Sequence, residues 1–150
     1  MDQLDKIEKQ IEIDAPASRV WTLISEPGWF INDNQIVEHR IERDGDLDIV
    51  HDPVHGAFAI ETVALDAPRY AAFRWVADPA APETASTLVE FFVEETSPGA
   101  VLLRVVESGF ASLPGTAAER RKQFDGNTEG WNLELALAKR HLEGVAAREG

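Results

Sequence analysis

The last third of the chain has the pattern of one long amphipathic helix, and this feature most limits the fold. Thr116 and Glu119 have capping-box spacing at its start. Six apolar residues then fall within about 40° of one line at the 100° per residue of an α-helix: Phe124, Trp131, Leu135, Ala138, Leu142 and Val145. A helix of about thirty residues, about 45 Å long, is too long to be buried all round. We therefore expect one stripe of it to pack on a sheet, with Gly126 and Gly130 marking a bend or a break near Trp131.

Residues before position 110 alternate between apolar and polar in short segments, which is typical of strands. Isoleucines on one side of residues 6–14 predict a half-buried first strand, and helical spacing follows over 17–24. A second short helix is expected at Trp29-Phe30. Further strands are predicted over 37–42, 47–51, 56–65, 70–76, 84–96 and 101–108, with imperfect alternation in 56–65 indicating a β-bulge. The pattern predicts an α+β fold, with an antiparallel meander of about six strands and a long C-terminal helix.

Composition and charge exclude several classes of function. Fourteen basic residues against twenty-seven acidic ones give a net charge of −13, which argues against binding nucleic acid or an anionic membrane. The absence of cysteine excludes thiolate zinc sites and thiol nucleophiles, and no glycine loop for phosphate or G-x-S-x-G elbow is present. The first residues carry no signal pattern and no apolar run is long enough to span a membrane. We expect one cytoplasmic domain over residues 1–150.

Three stretches of the sequence resemble a known family. They are IEIDAPASRVWTLIS over 11–25, FRWV over 73–76, and VVESGF over 105–110 followed by GWNLELALAKRHLEG over 130–144. Together they resemble the START-like (SRPBCC) superfamily and, within it, the bacterial single-domain homologues of the activator of Hsp-ninety ATPase. The resemblance runs from about residue 7 to about residue 144. It implies a helix-grip fold, in which a curved sheet wraps the last helix and encloses a cavity. Fold resemblance alone does not define an activity.

Aromatic side chains on the expected inner faces are the first candidates for a ligand site. With one leucine from the long helix, they are Trp29, Phe73, Trp75, Phe91, Phe110, Trp131 and Leu135. They would line an apolar cavity with a few polar groups, as small-molecule sites do. The alternative is that they fill the core, as aromatic rows at this spacing usually do.

Glu107 is the carboxylate that alternation directs inward, because it shares a strand face with Leu103 and Val105. Burial of an unpaired carboxylate is costly and raises its pKa, so Glu107 needs a donor, a cation or water. Arg74 would reach it only through a bulge, since alternation places Arg74 on the other face. Glu107 is either a ligand-orienting or acid–base group, or an acceptor of structural hydrogen bonds.

Histidines offer two further candidates. His39 lies on the apolar side of its strand and is either a cavity group or a core histidine with a satisfied partner. His51, Asp52 and His55 have metal-ligating side chains. However, a proline-bearing loop lacks fixed ligand geometry, and no residue elsewhere in the sequence obviously completes the set of ligands. An exposed hairpin loop is favoured there, and no metal or cofactor is expected.

Leu133 and Leu137 project from the long helix on the side opposite Trp131 and Leu135. They are either scattered surface leucines or part of a homodimer or partner contact. For the protein as a whole, we expect non-enzymatic binding of a small hydrophobic or amphipathic ligand. The alternatives are a chaperone-cofactor or regulatory interaction module and a polyketide cyclase/dehydratase-like enzyme.

Overall fold

A computed structural model describes residues 6–32, 36, 39–54, 56–76 and 85–149, with side chains up to residue 144. Seven strands and two α-helices occur in it. In chain order they are β1 (Lys6–Ile13), α1 (Ala17–Ile24), β2 (Arg40–Asp44), β3 (Leu47–Asp52), β4 (Gly56–Asp66), β5 (Tyr70–Val76), β6 (Ser86–Ser97), β7 (Ala100–Ser108) and α2 (Ala117–Glu149). A single 3-10 turn, Phe110–Ser112, connects β7 to α2. No helix in these ranges is both long and apolar enough to cross a bilayer.

All seven strands form one curved antiparallel sheet in the order β1-β7-β6-β5-β4-β3-β2. Only the first strand departs from a simple meander, because it pairs with the last one. The expected bulge is confirmed in β4, where the register shifts between Thr62 and Ala64. Alternate residues of β6 and β7 are buried on the inner face, as period-two patterning requires.

The long helix α2 is continuous and starts at the expected capping box. Glu119 Oε1 accepts the Thr116 backbone N–H at 2.7 Å, and Thr116 Oγ1 accepts the Glu119 N–H at 3.1 Å. Near its other end, Lys139 Nζ donates to the Glu12 carbonyl at 2.9 Å, and Glu143 accepts the Asp14 N–H at 2.9 Å. The helix is therefore tied to the end of β1 as well as packed on the sheet.

The apolar stripe of α2 is confirmed by the burial of Trp131, Leu135, Ala138 and Leu142. The side chain of Val145 lies outside the described residues. These positions share the core with the inner sheet face and with α1, whose buried residues are Val20, Leu23 and Ile24.

Two expectations about helices need correction. The second short helix predicted at Trp29-Phe30 is a series of turns, in which Gly28 adopts a φ of +73°. The prediction that Leu137 is exposed beside Leu133 is wrong, because Leu137 is only 8% exposed while Leu133 is 63% exposed. In the segment after α1, Asn32 donates to Glu134 of α2 at 2.7 Å. The buried sector of α2 is therefore wider than the stripe.

Glycine positions allow a direct test of this packing. A Cβ at Gly126, inside α2, would meet nothing within 4 Å, so Gly126→Ala removes only the helical penalty of glycine. We expect Gly126→Ala to raise the free energy of unfolding by about 1 kcal/mol in urea denaturation.

Gly28→Ala is the matched control and should destabilise the protein. Its φ is positive and its Cβ would lie 2.8 Å from both Val50 methyl carbons. Destabilisation by Gly126→Ala would contradict the open environment described for that position.

Candidate functional site

A cavity of about 550 Å³ lies at one end of the sheet, between β4, β5 and β6 and the first turns of α2. This volume is within the range of small-molecule sites. The apolar part of its lining consists of Phe58, Trp75, Val76, Leu113 and Pro114. The polar part consists of Thr87, Glu107, Glu119, Arg120, Gln123 and Asn127. The lining is thus mixed rather than mainly aromatic.

Glu107 is placed in the cavity wall by the alternation of β7. Its register partners are Ile7 of β1 and Val89 of β6, both buried on the inner face. The residue itself is 0% exposed. The prediction that this carboxylate points inward is therefore confirmed.

Three neutral donors surround the Glu107 carboxyl group. Thr87 Oγ1 donates to Oε2 at 2.7 Å, and Trp131 Nε1 donates to Oε1 at 2.8 Å. Asn127 Nδ2 lies 3.1 Å from Oε1 and 3.3 Å from Oε2. One donor comes from β6 and two come from α2, so the carboxyl group joins helix to sheet.

Burial raises the pKa of Glu107 above its ordinary value of 4.5, and the hydrogen bonds from Thr87, Trp131 and Asn127 oppose that rise. The direction follows because desolvation disfavours the charged form more than neutral donors favour it. No ion pair with Lys, Arg or His is found for Glu107 within the described chain. Arg74 instead pairs with Glu61 at 3.0 Å on the outer side, as alternation predicts.

Thr87 and Asn127 are site residues that sequence reasoning did not identify. Thr87 continues the inner-face alternation of Val89 and Phe91, and Asn127 lies one helical turn before Trp131. The spacing along β6 and α2 therefore predicts that both side chains face inward. Their polar side chains carry no signal of their own, because such residues are usually exposed.

Only two of the nine predicted ligand-site residues, Trp75 and Glu107, line the cavity. Phe91 packs against Trp29, Phe73 and Trp131 in the core, with ring centroids 5.3 to 6.2 Å apart. The remaining apolar candidates, Leu135 and Phe110, are buried in the same cluster, where Phe110 meets Phe124 at 5.1 Å.

His39 belongs to a separate buried polar cluster. Its Nε2 lies 2.8 Å from Asp52 Oδ1, and both side chains are almost completely buried. Burial raises the pKa of nearby Glu134 to about 7, against the hydrogen bond from Asn32 and with a contribution from the negative charge of Asp52. None of these residues is among the lining of the cavity described above.

The metal-ligating side chains of the 51–55 loop have other partners in the described structure. Asp52 is engaged by His39, and Asp52 Oδ2 accepts the Val54 N–H at 2.9 Å. His51 Nε2 lies 2.7 Å from Glu42 Oε1, and His55 is outside the described residues. No group of three or more metal-ligating side chains occurs in the part of the chain that the structure describes.

Solved structures establish the fold. NE0264 from Nitrosomonas europaea superposes with a TM-score of 0.68 at 16% identity, covering 98% of this chain and 99% of that one. The Aha1 dimer from Colwellia psychrerythraea gives a TM-score of 0.62 at 16% identity, covering 92% and 96%. The chain has the helix-grip fold that the sequence predicts.

A third helix-grip neighbour, DynU16, is described as a protein in the dynemicin biosynthetic locus. It matches with a TM-score of 0.64 at 20% identity, covering 93% of this chain and 47% of that one. No protein-family profile matches the chain, and no curated protein sequence does either. At these identities, the likeness to helix-grip proteins defines the architecture and does not identify a ligand.

The raised pKa of Glu107 predicts a specific pH dependence. Between the ordinary pKa of 4.5 and the raised one, the folded state binds more protons at Glu107 than the unfolded state. Its contribution to stability therefore falls as pH rises through that interval. Glu107→Gln does not titrate and keeps a carbonyl acceptor, so its stability relative to wild type should increase with pH in urea denaturation.

Glu143→Gln is a control of opposite sign. The Asp14 N–H and Lys139 lower the pKa of Glu143, so that its stabilisation is present above the ordinary pKa and lost as pH falls. Its stability relative to wild type should decrease with rising pH. The same trend in both variants would refute the assignment for Glu107.

Proposed function

We propose that the protein binds a small amphipathic molecule in the cavity at the end of the sheet, without covalent chemistry. The observation that carries this proposal is the composition of the cavity wall. Phe58 and Trp75 line the same space as Glu107 and Asn127. An apolar body and a hydrogen-bonding group on one ligand would match both parts of this lining.

The packed aromatic core limits the positions at which such a ligand can bind. Trp29, Phe91 and Trp131 occupy the centre of the space between α2 and the sheet, and each is at most 3% exposed. Ligand binding at that point would require these rings to separate, at a cost in packing. The end cavity requires no such change, which favours it over the central aromatic region.

An enzyme of the cyclase/dehydratase type is the weaker alternative. It would use Glu107 as an acid–base group beside a second group for proton transfer. The three side chains bonded to Glu107 are a threonine, an asparagine and a tryptophan. None of these titrates near neutral pH, so binding is favoured over proton-transfer catalysis.

The interaction-module alternative is supported by one comparison and weakened by one observation. The Colwellia neighbour is described as a dimer, which supports asking whether this chain also associates. Leu133 is exposed, but Leu137 is not available beside it. The leucine pair that would form the apolar contact is therefore reduced to one residue.

Ligand binding can be tested with amines, alcohols and carboxylic acids of eight to twelve non-hydrogen atoms. Compounds that occupy the cavity should raise the melting temperature, because selective binding to the folded state stabilises it by RT ln(1 + [L]/Kd). Gln123→Trp places a large ring at the cavity lining and should abolish this increase.

Arg121→Trp is the matched control, since Arg121 is exposed on the same helix and pairs with Asp125 rather than lining the cavity. It should leave the ligand-induced increase intact. Equal increases in wild type and Gln123→Trp, or none for any compound class, would overturn the proposal.

A further inference from the structure

The charged side chains around the cavity differ in how well their surroundings stabilise the charge. Among the residues that the structure describes, three charged side chains line the cavity: Glu107, Glu119 and Arg120. Glu119 accepts the Thr116 N–H, and Arg120 Nη1 donates to the Gly115 carbonyl at 2.7 Å. Both lie at the first turn of α2, where these hydrogen bonds to backbone groups and contact with solvent moderate their charge. Glu107 alone is fully buried and is surrounded by neutral donors.

One of those donors is suited to replacement by a ligand. The bonds from Thr87 and Trp131 are short, at 2.7 and 2.8 Å, and both residues are buried. The Asn127 amide is shared between both carboxylate oxygens at 3.1 and 3.3 Å, and Asn127 is half-buried on the cavity wall. Rotation of Asn127 would therefore open Glu107 to the cavity while its two stronger bonds remain.

We propose that the preferred ligand of this cavity is an amphipathic amine, whose ammonium group replaces the Asn127 amide at Glu107. This inference rests on the proposed function and names its ligand class. An ammonium group supplies three donors together with the positive charge that the neutral donors lack. The apolar body then packs against Trp75 and Phe58. The chain's net charge of −13 also raises the local concentration of organic cations.

Release of the Glu107 proton on binding would distinguish an amine from a neutral ligand. Burial favours the protonated form of Glu107 in the free protein. An ammonium group pairs with the carboxylate, so at any pH at which Glu107 carries a proton in the free protein, that proton leaves to the buffer as the cation enters. A neutral alcohol needs no such exchange. Amine binding is therefore expected to release protons over the pH range in which Glu107 is still protonated.

The test compares 2-phenylethylamine with 2-phenylethanol by isothermal titration calorimetry in buffers of different ionisation enthalpy. We expect the amine to bind about tenfold more tightly and, in the pH range in which Glu107 is protonated in the free protein, to release protons, while the alcohol releases none. Glu107→Gln should remove both the preference and the release. Glu129→Gln, the loss of one exposed carboxylate on α2 away from the cavity, should retain both.

Each remaining outcome has a defined consequence. Equal binding of amine and alcohol, or an amine preference that survives Glu107→Gln, overturns the inference but leaves cavity binding intact. Binding of neither probe also overturns the inference, and if no compound of the wider panel responds either, the proposed function itself is overturned.

If Glu107→Gln does not fold, the inference can be tested on the wild-type protein by following the Trp131 indole N–H resonance in a pH titration with each probe. This indole N–H bonds directly to Glu107 Oε1. A shift of its pH titration to lower pH with the amine, and not with the alcohol, supports the inference. An identical titration with both probes contradicts it.

Discussion

The attachment of α2 to the sheet at the cavity depends on one buried carboxyl group. Glu107 has no solvent to stabilise it, so its hydrogen bonds must come from Thr87 on β6 and from Asn127 and Trp131 on α2. Loss of one buried partner typically costs about 1 to 3 kcal/mol, because the remaining group is left unsatisfied. The same contacts fix the position of α2, the depth of the Trp131 ring and the polar wall of the cavity.

The aromatic core explains why the cavity lies at one end of the molecule. Phe30 meets Trp131 at 5.2 Å between ring centroids, and Trp131 meets Phe91 at 5.8 Å. These contacts fill the middle of the space that the helix-grip fold encloses. Open volume is left at one end of the sheet, where residues of β5, β6 and the first turns of α2 line the cavity. A site at this position can combine ring surfaces with the polar side chains of α2.

Sequence patterns predicted the backbone of this arrangement because they report periodicity. The capping box of α2, the bulge in β4 and the inward direction of Glu107 all follow from spacing along one element. The burial of Leu137 does not, since it depends on how α2 packs against the rest of the structure. Whether an inward aromatic residue fills the core or lines a cavity likewise depends on packing between elements, which no single segment encodes.

Titration of the Glu107 carboxyl carbon by ¹³C NMR tests the central claim most directly. Burial with only neutral donors predicts a pKa above the ordinary value of 4.5, with the Trp131 indole N–H resonance following the same titration. A Glu107 pKa at or below 4.5, or an indole resonance that does not respond, would contradict the account.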